Sequence, residues 1–162
     1  MKKQVKKLTM ILMRHGKAER DADSDHKRGL TDRGVDQSRS AGKILRDLFG
    51  SVDKAIVSDA TRTRQTVAQV MNELPIKNTI FEAKLYSAEN LRGFVECVTP
   101  HISQNDTLIL IVGHNPTISL LVSTYTDEQY DMGTGEYVVM TTEATDWSVA
   151  LESAGCWDPQ NN

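Results

Sequence analysis

Two nearly unbroken apolar runs, Leu8 to Met13 and Leu108 to Val112, constrain this chain more than any other feature. A strand with one wet face alternates apolar and polar residues, so a run that is apolar throughout must be covered on both faces. Strands of that kind lie inside mostly parallel sheets packed between helices. Each run ends in residues that carry chemistry. Arg14-His15-Gly16 follows the first and Gly113-His114-Asn115-Pro116 the second. In open α/β sheets the carboxyl ends of the strands are where ligands bind.

The segments between the runs alternate in period. Thr31 is placed to cap a helix carrying Val35, Ile44, Leu45, Leu48 and Phe49, which Gly50 stops. Ala55 to Val57 reads as a short strand. Ser58 or Asp59 then caps a second helix with Val67, Val70, Met71 and Leu74 on one face, ended by Pro75. Thr79 to Phe81 is β-prone, Ala88 to Val98 helical, and Asn115 and Pro116 occupy the cap and first-turn positions of another helix. Tyr137 to Met140 and Trp147 to Leu151 read as two closing strands. A polar stretch at Glu19 to Arg28 and a polar tail after Trp157 interrupt the pattern. The expected architecture is a three-layer α/β/α sandwich with a mostly parallel central sheet. At 162 residues, the whole of 1–162 is expected to form a single domain with a real core.

Charge narrows the classes of function. A formal net charge of -3 argues against general nucleic-acid binding, which draws on a basic surplus. No apolar stretch has the length of a membrane span. Lys2, Lys3, Lys6 and Lys7 precede the first apolar run as in a signal peptide, but Arg14 and His15 interrupt the pattern and no small-residue cleavage site follows, so no export signal is read. Cys97 and Cys156 are far apart, form no CxxC pair and fit a reducing cytoplasm.

Three strand ends carry the candidate chemistry, and a parallel sheet sets such ends on one rim. His15 and His114, far apart along the chain, can therefore share a pocket. Arg62 and Arg64 lie near the start of a helix, where the macrodipole disfavours cations. A bound anion reverses that argument, because Arg62 and the helix terminus then stabilise it together. Arg64 is the one more simply read as reaching solvent. His26 and His101 lack such a setting and read as surface or structural residues. Metal ligation by His15 and His114 calls for a third ligand, yet their neighbours are Arg14 and Asn115. Adjacent cations favour a phosphoryl group and disfavour a metal.

With these residues assembled, the chain resembles the histidine phosphatase superfamily, whose fold is phosphoglycerate mutase-like, and within it the small SixA-like branch of protein phosphohistidine phosphatases. The likeness rests on Leu12-Met13-Arg14-His15-Gly16-Lys17-Ala18, Arg28-Gly29-Leu30-Thr31-Asp32-Arg33-Gly34, Val57 to Thr66 with Arg62 at its centre, and Val112-Gly113-His114-Asn115-Pro116. The resemblance implies that His15 is a nucleophile forming a phosphohistidine intermediate, that Arg14, Arg62 and His114 hold the phosphoryl oxygens, and that Arg28 stands at the pocket mouth. Ser58 adds a hydroxyl donor or only caps its helix, and Asn115 either joins the substrate contacts or is a cap. Neighbouring cations are expected to keep His15 unprotonated. No metal or cofactor is expected.

Ester-cleaving members generally supply an acid for the leaving oxygen, and no carboxylate here is convincingly placed. Where the acid-phosphatase branch has an aspartate after the second histidine, this chain has Asn115. Glu82 is the nearest substitute, although an exposed structural glutamate is the plainer reading. An imidazole leaves phosphorus with less help than an alkoxide, so the expected substrate is phosphohistidine on a protein, such as a phosphotransfer domain or phosphocarrier, in the cytoplasm. The chain is expected to act as a monomer, without nucleic acid or membrane. The alternatives are a small-molecule phosphomonoesterase and a non-catalytic phosphoprotein-binding module.

Overall fold

A computed structural model describes residues 2–160 and shows a six-stranded sheet ordered β3-β2-β4-β1-β5-β6. The strands are β1 (Lys6–Arg14), β2 (Lys54–Ser58), β3 (Thr79–Glu82), β4 (Leu108–Gly113), β5 (Tyr137–Ala144) and β6 (Asp158–Pro159). β1 to β4 are mutually parallel; β5 runs antiparallel to β1, and β6 antiparallel to β5. Helices α1 (Asp32–Phe49), α2 (Thr61–Met71), α3 (Lys84–Ser87), α4 (Leu91–Val98), α5 (Thr117–Thr126) and α6 (Trp147–Glu152) complete the chain. None is long and apolar enough to cross a membrane among the described residues. The expected mixed α/β class is found.

The two apolar runs are central neighbours, and each feeds both layers. Leu8, Met10 and Leu12 pack with Phe94, Ile118, Tyr125 and Trp147 on one face, while Ile11 and Met13 pack with Leu45, Val67 and Val70 on the other. β4 divides in the same way, Ile109 and Ile111 against Leu110 and Val112. A continuous apolar run is what two covered faces require. Each such side chain contributes about 1.5–3 kcal/mol when fully buried.

Local signals at the ends of α1 act as read. Thr31 Oγ1 accepts the Gly34 N–H at 3.1 Å, and Gly50 closes the helix at φ 76°. The face of α1 does not follow the expectation. Ile44 and Leu48 are exposed, and the buried positions are Gly34, Ser38, Ala41, Gly42 and Leu45. The reason is close approach: a Cβ at Gly42 would lie 2.7 Å from the Val70 carbonyl of α2. Small residues let the two helices touch backbone to backbone, and Ile44 and Leu48 are turned outward while Leu45 stays in the core. Met71 is likewise exposed rather than part of the α2 face.

Trp147 to Leu151 forms helix α6 rather than a strand. Asp146 caps it by accepting the Val149 N–H at 3.0 Å, and its buried residues Trp147, Ala150 and Leu151 are spaced three and four apart. α2 begins after Ala60, not at Ser58 or Asp59, and Ala60 offers no side-chain cap. Ala88 to Val98 is helical only from Leu91, with Asn90 as its cap, and the tail beyond Trp157 contributes β6. We expect Gly42→Ala to lower stability by about 1–3 kcal/mol through overpacking against α2. A urea midpoint equal to that of the parent would show that the helices can part without cost.

Candidate active site

The pairing of β1 with β4 builds the site. Arg14 stands in register with Gly113, and the His15 N–H donates to the Gly113 carbonyl at 3.1 Å. The residue after each strand end is a histidine, and the rings of His15 and His114 lie 5.4 Å apart between centroids. Gly16 then turns the chain under α1, where a Cβ would lie 2.5 Å from the Gly34 carbonyl and 2.9 Å from Ser38 Oγ. Its bareness admits a helix rather than a ligand. The Gly16 N–H donates to Thr66 Oγ1 of α2 at 3.0 Å, which ties the loop to the helix that carries Arg62.

The Arg62 side chain is 6% exposed, and its guanidinium joins two partners. Nε–H donates to His15 Nε2 at 3.3 Å, while the terminal nitrogens reach the Asp25 carbonyl at 2.8 Å and Asp25 Oδ2 at 3.1 Å. Arg14 is anchored by donation to the Met132 carbonyl at 2.9 Å. Arg28 donates to Asp25 Oδ1 at 3.1 Å and to the Glu19 carbonyl at 3.0 Å. Together with Lys17, Asp25, Tyr86, Asn115 and Thr134, the two histidines and three arginines line a cavity of about 490 Å³.

His15 Nδ1 meets the Gly16 carbonyl at 2.7 Å. A carbonyl only accepts, so Nδ1 holds the proton and Nε2 keeps its lone pair facing Arg62. Burial, followed by the nearby Arg62, Arg14 and Arg28, pushes the His15 pKa from 6.5 down to about 4, against the opposing pull of the Gly16 carbonyl. Loss of water thus outranks the cations that the sequence suggested as the cause. His114 is pushed down to about 3, first by burial and then by Arg62 and His15. Both rings are neutral at pH 7. An unprotonated imidazole nitrogen beside fixed guanidiniums can attack phosphorus while those cations neutralise the oxygens.

Two buried side-chain nitrogens among the described residues lack a protein partner, Arg14 Nε and His114 Nδ1. Both belong to this cluster. Buried polar atoms are normally paired, so each keeps unused bonding capacity, and His114 Nδ1 is a donor when its Nε2 accepts the Ser58 hydroxyl proton.

Ser58 and Asn115 have different places from one another. Ser58 is fully buried behind His114, with its Oγ 2.7 Å from His114 Nε2, and it neither caps α2 nor lines the cavity. Asn115 lines the cavity, donates from Nδ2 to the Met132 carbonyl at 2.8 Å and accepts from Ser119 through Oδ1. Pro116, not Asn115, is the residue that precedes α5. Arg64 lies outside, 4.1 Å above the Phe81 ring, with its Nε bonded to the Asp59 carbonyl. Glu82 accepts from His101 at 2.6 Å and from the Lys84 N–H, away from the cavity. His26 pairs with Asp59 at the rim.

Sequence reasoning missed Asp25 and Tyr86. Asp25 sits in the polar stretch that read as a plain loop; Arg28 of the same stretch donates to it, and its other partners are distant in the chain, Arg62 and Tyr86, whose hydroxyl donates to Oδ2 at 2.5 Å. The only local hint was its spacing, three residues before Arg28.

The two depressed histidines tie stability to pH. Each binds its proton less readily folded than unfolded, so their contribution is full above about pH 6.5 and is lost as pH falls through about 4 and about 3. Urea midpoints measured from pH 7 to pH 4 should fall, and His114→Gln should flatten the decline. An equal slope in parent and variant would exclude His114 as a source of acid sensitivity.

Residues 10–86 match the family model described as the histidine phosphatase superfamily, branch 1. An uncharacterized protein of Mycobacterium tuberculosis is 38% identical over 110 residues, an alignment that spans 67% of this chain and 66% of that one. The phosphohistidine phosphatase SixA of Escherichia coli is 27% identical over 91% of this chain and 88% of its own length. Among solved structures, that of a candidate phosphohistidine phosphatase SixA from Nakamurella multipartitia superposes with a TM-score of 0.75 at 27% identity, covering 96% of this chain and 95% of that chain. The protein whose sheet rim gathers these two neutral histidines and three arginines belongs to the histidine phosphatase superfamily and has SixA phosphatases among its relatives.

Proposed function

We propose that this chain, as a single domain spanning 1–162, is a metal-independent phosphatase that removes the phosphoryl group from phosphohistidine on a protein in the cytoplasm. The observation that carries the proposal is the cluster itself: a lone pair at His15 Nε2 beside Arg62, with the partnerless Arg14 Nε and His114 Nδ1 buried around it. Likeness to SixA of Escherichia coli, a phosphohistidine phosphatase by name, supports the choice of substrate.

In the first half-reaction His15 Nε2 forms a bond to phosphorus as the substrate's P–N bond breaks and its electron pair returns to the departing ring. Arg14, Arg62 and Arg28 neutralise the phosphoryl oxygens, and His114 adds a hydrogen bond. Fixed cations in a partly dry site need no rearrangement as charge shifts, and most of the rate gain in phosphoryl transfer comes from such positioning. Water then attacks phosphorus, and His15 leaves as a neutral imidazole whose Nδ1–H still donates to the Gly16 carbonyl. Ser58 holds the His114 ring from behind, and Asn115 braces the loop that carries Met132.

Acid chemistry bears on the substrate. Asp25 is the carboxylate lining the cavity among the described residues, and the Tyr86 hydroxyl, then Arg62 and Arg28, hold its pKa down to about 2. It has no proton to give an alkoxide at neutral pH. Glu82, engaged with His101, is not in position. Phosphohistidine needs no such donor.

Acid-quenched reactions with labelled phosphohistidine protein should leave label on His15, and His15→Ala should lose roughly three orders of magnitude or more in turnover. Arg62→Ala should cost about 10²–10³ in kcat. A clear preference for phosphate esters in a competition between these substrates would overturn the substrate assignment, and normal turnover by His15→Ala would overturn the nucleophile.

A further inference from the structure

A carboxylate lining a cradle for phosphate is out of place on charge alone. Asp25 Oδ2 accepts from Arg62 and Tyr86, and Oδ1 accepts from Arg28. A carboxylate offers about four lone-pair positions, so three donors leave one free. Its side chain is 56% exposed, whereas that of Arg62 is 6% exposed. One guanidinium therefore reaches from the buried nucleophile to Asp25, which stands beyond it toward the mouth. A ring carried on another protein enters through the mouth, so in an in-line transfer it leaves phosphorus on the side of the more exposed Asp25.

We infer that Asp25 is a specificity residue that accepts the distal ring N–H of the departing histidine, so that the site selects phosphohistidine whose ring is protonated. The inference rests on the phosphohistidine reading above. When the P–N bond breaks, its electron pair returns to the ring nitrogen. A ring already protonated on its other nitrogen then departs as neutral imidazole, and no proton changes hands at Asp25. An ionised carboxylate beside that N–H favours the protonated ring. A phosphate ester brings no such cation and meets only the repulsion between Asp25 and its own phosphate.

The enzyme's own half of the reaction shows the same device. Phosphorylated His15 is the leaving group of the second step, and its distal Nδ1–H rests on the Gly16 carbonyl at 2.7 Å. Asp25 provides for the substrate's ring what Gly16 provides for His15. Arg28, Arg62 and Tyr86 are the ionisable groups in contact with Asp25, with His26 packed edge-on against Tyr86. The hydrogen bond from Tyr86 and the two guanidiniums keep the carboxylate ionised.

The test compares kcat/KM for a protein phosphorylated on histidine with phosphoramidate and for p-nitrophenyl phosphate, in the full chain and in Asp25→Asn and Asp25→Glu. Asp25→Asn should lower the ratio of the first to the second at least tenfold and move the alkaline limb of phosphohistidine turnover to lower pH. Asp25→Glu, which keeps the charge, should recover part of the ratio. If the parent prefers phosphohistidine and Asp25→Asn keeps both the ratio and the alkaline limb, this inference alone is overturned, and Asp25 only positions Arg62 and Arg28. If the parent prefers p-nitrophenyl phosphate, the phosphohistidine reading fails and this inference fails with it.

Discussion

The parallel ladder between β1 and β4 is the constraint on which the site depends. Six registered pairs run from Thr9 with Leu108 to Arg14 with Gly113, and the bond from His15 N–H to the Gly113 carbonyl continues the ladder one step past the strand. A slip of one residue would exchange the faces of every side chain on β1 and carry Ile11 and Met13 out of their layer. The core thus enforces the register, and the register sets His15 beside His114. Chemistry at the rim inherits its precision from apolar packing several residues below.

Around that ladder the protein holds groups of like charge close together. Arg14, Arg28 and Arg62 share one cavity, each with an oxygen partner elsewhere in the chain. Asp25 answers two of them. The imidazoles adapt in another way, by remaining neutral, because burial next to guanidiniums makes a further positive charge costly. A nucleophile and its cationic cradle coexist because at neutral pH the imidazoles are unprotonated while the guanidiniums keep their charge.

Much of this was legible in the chain because the signals were local or periodic. Continuous apolarity marked β1 and β4 as interior strands, Thr31 and Gly50 marked the ends of α1, and a polar motif at each strand end marked the rim. Arg62 stood out by violating the helix macrodipole, and it lies against His15. Signals failed where partners decide. Trp147 to Leu151 is apolar enough for either period, and the cap at Asp146 with burial on one side settled it as a helix. Ile44 and Leu48 face water because Gly42 allows α2 to approach. Ser58 was weighed as a cap, yet its hydroxyl is turned to a histidine 56 residues away.

By itself the sequence determined which strands are buried, where they end and which imidazoles and guanidiniums stand at those ends, since each follows from residue type and spacing along one element. Only the tertiary structure decided what those groups do to one another. It made burial the main cause of the neutral histidines, put Ser58 behind His114 instead of at the head of α2, and brought Asp25 and Tyr86 into the cavity. The reason is physical: desolvation and hydrogen bonding depend on neighbours in space, and the neighbours of Asp25 come from a loop, the start of α2 and α3, which nothing local in the chain joins.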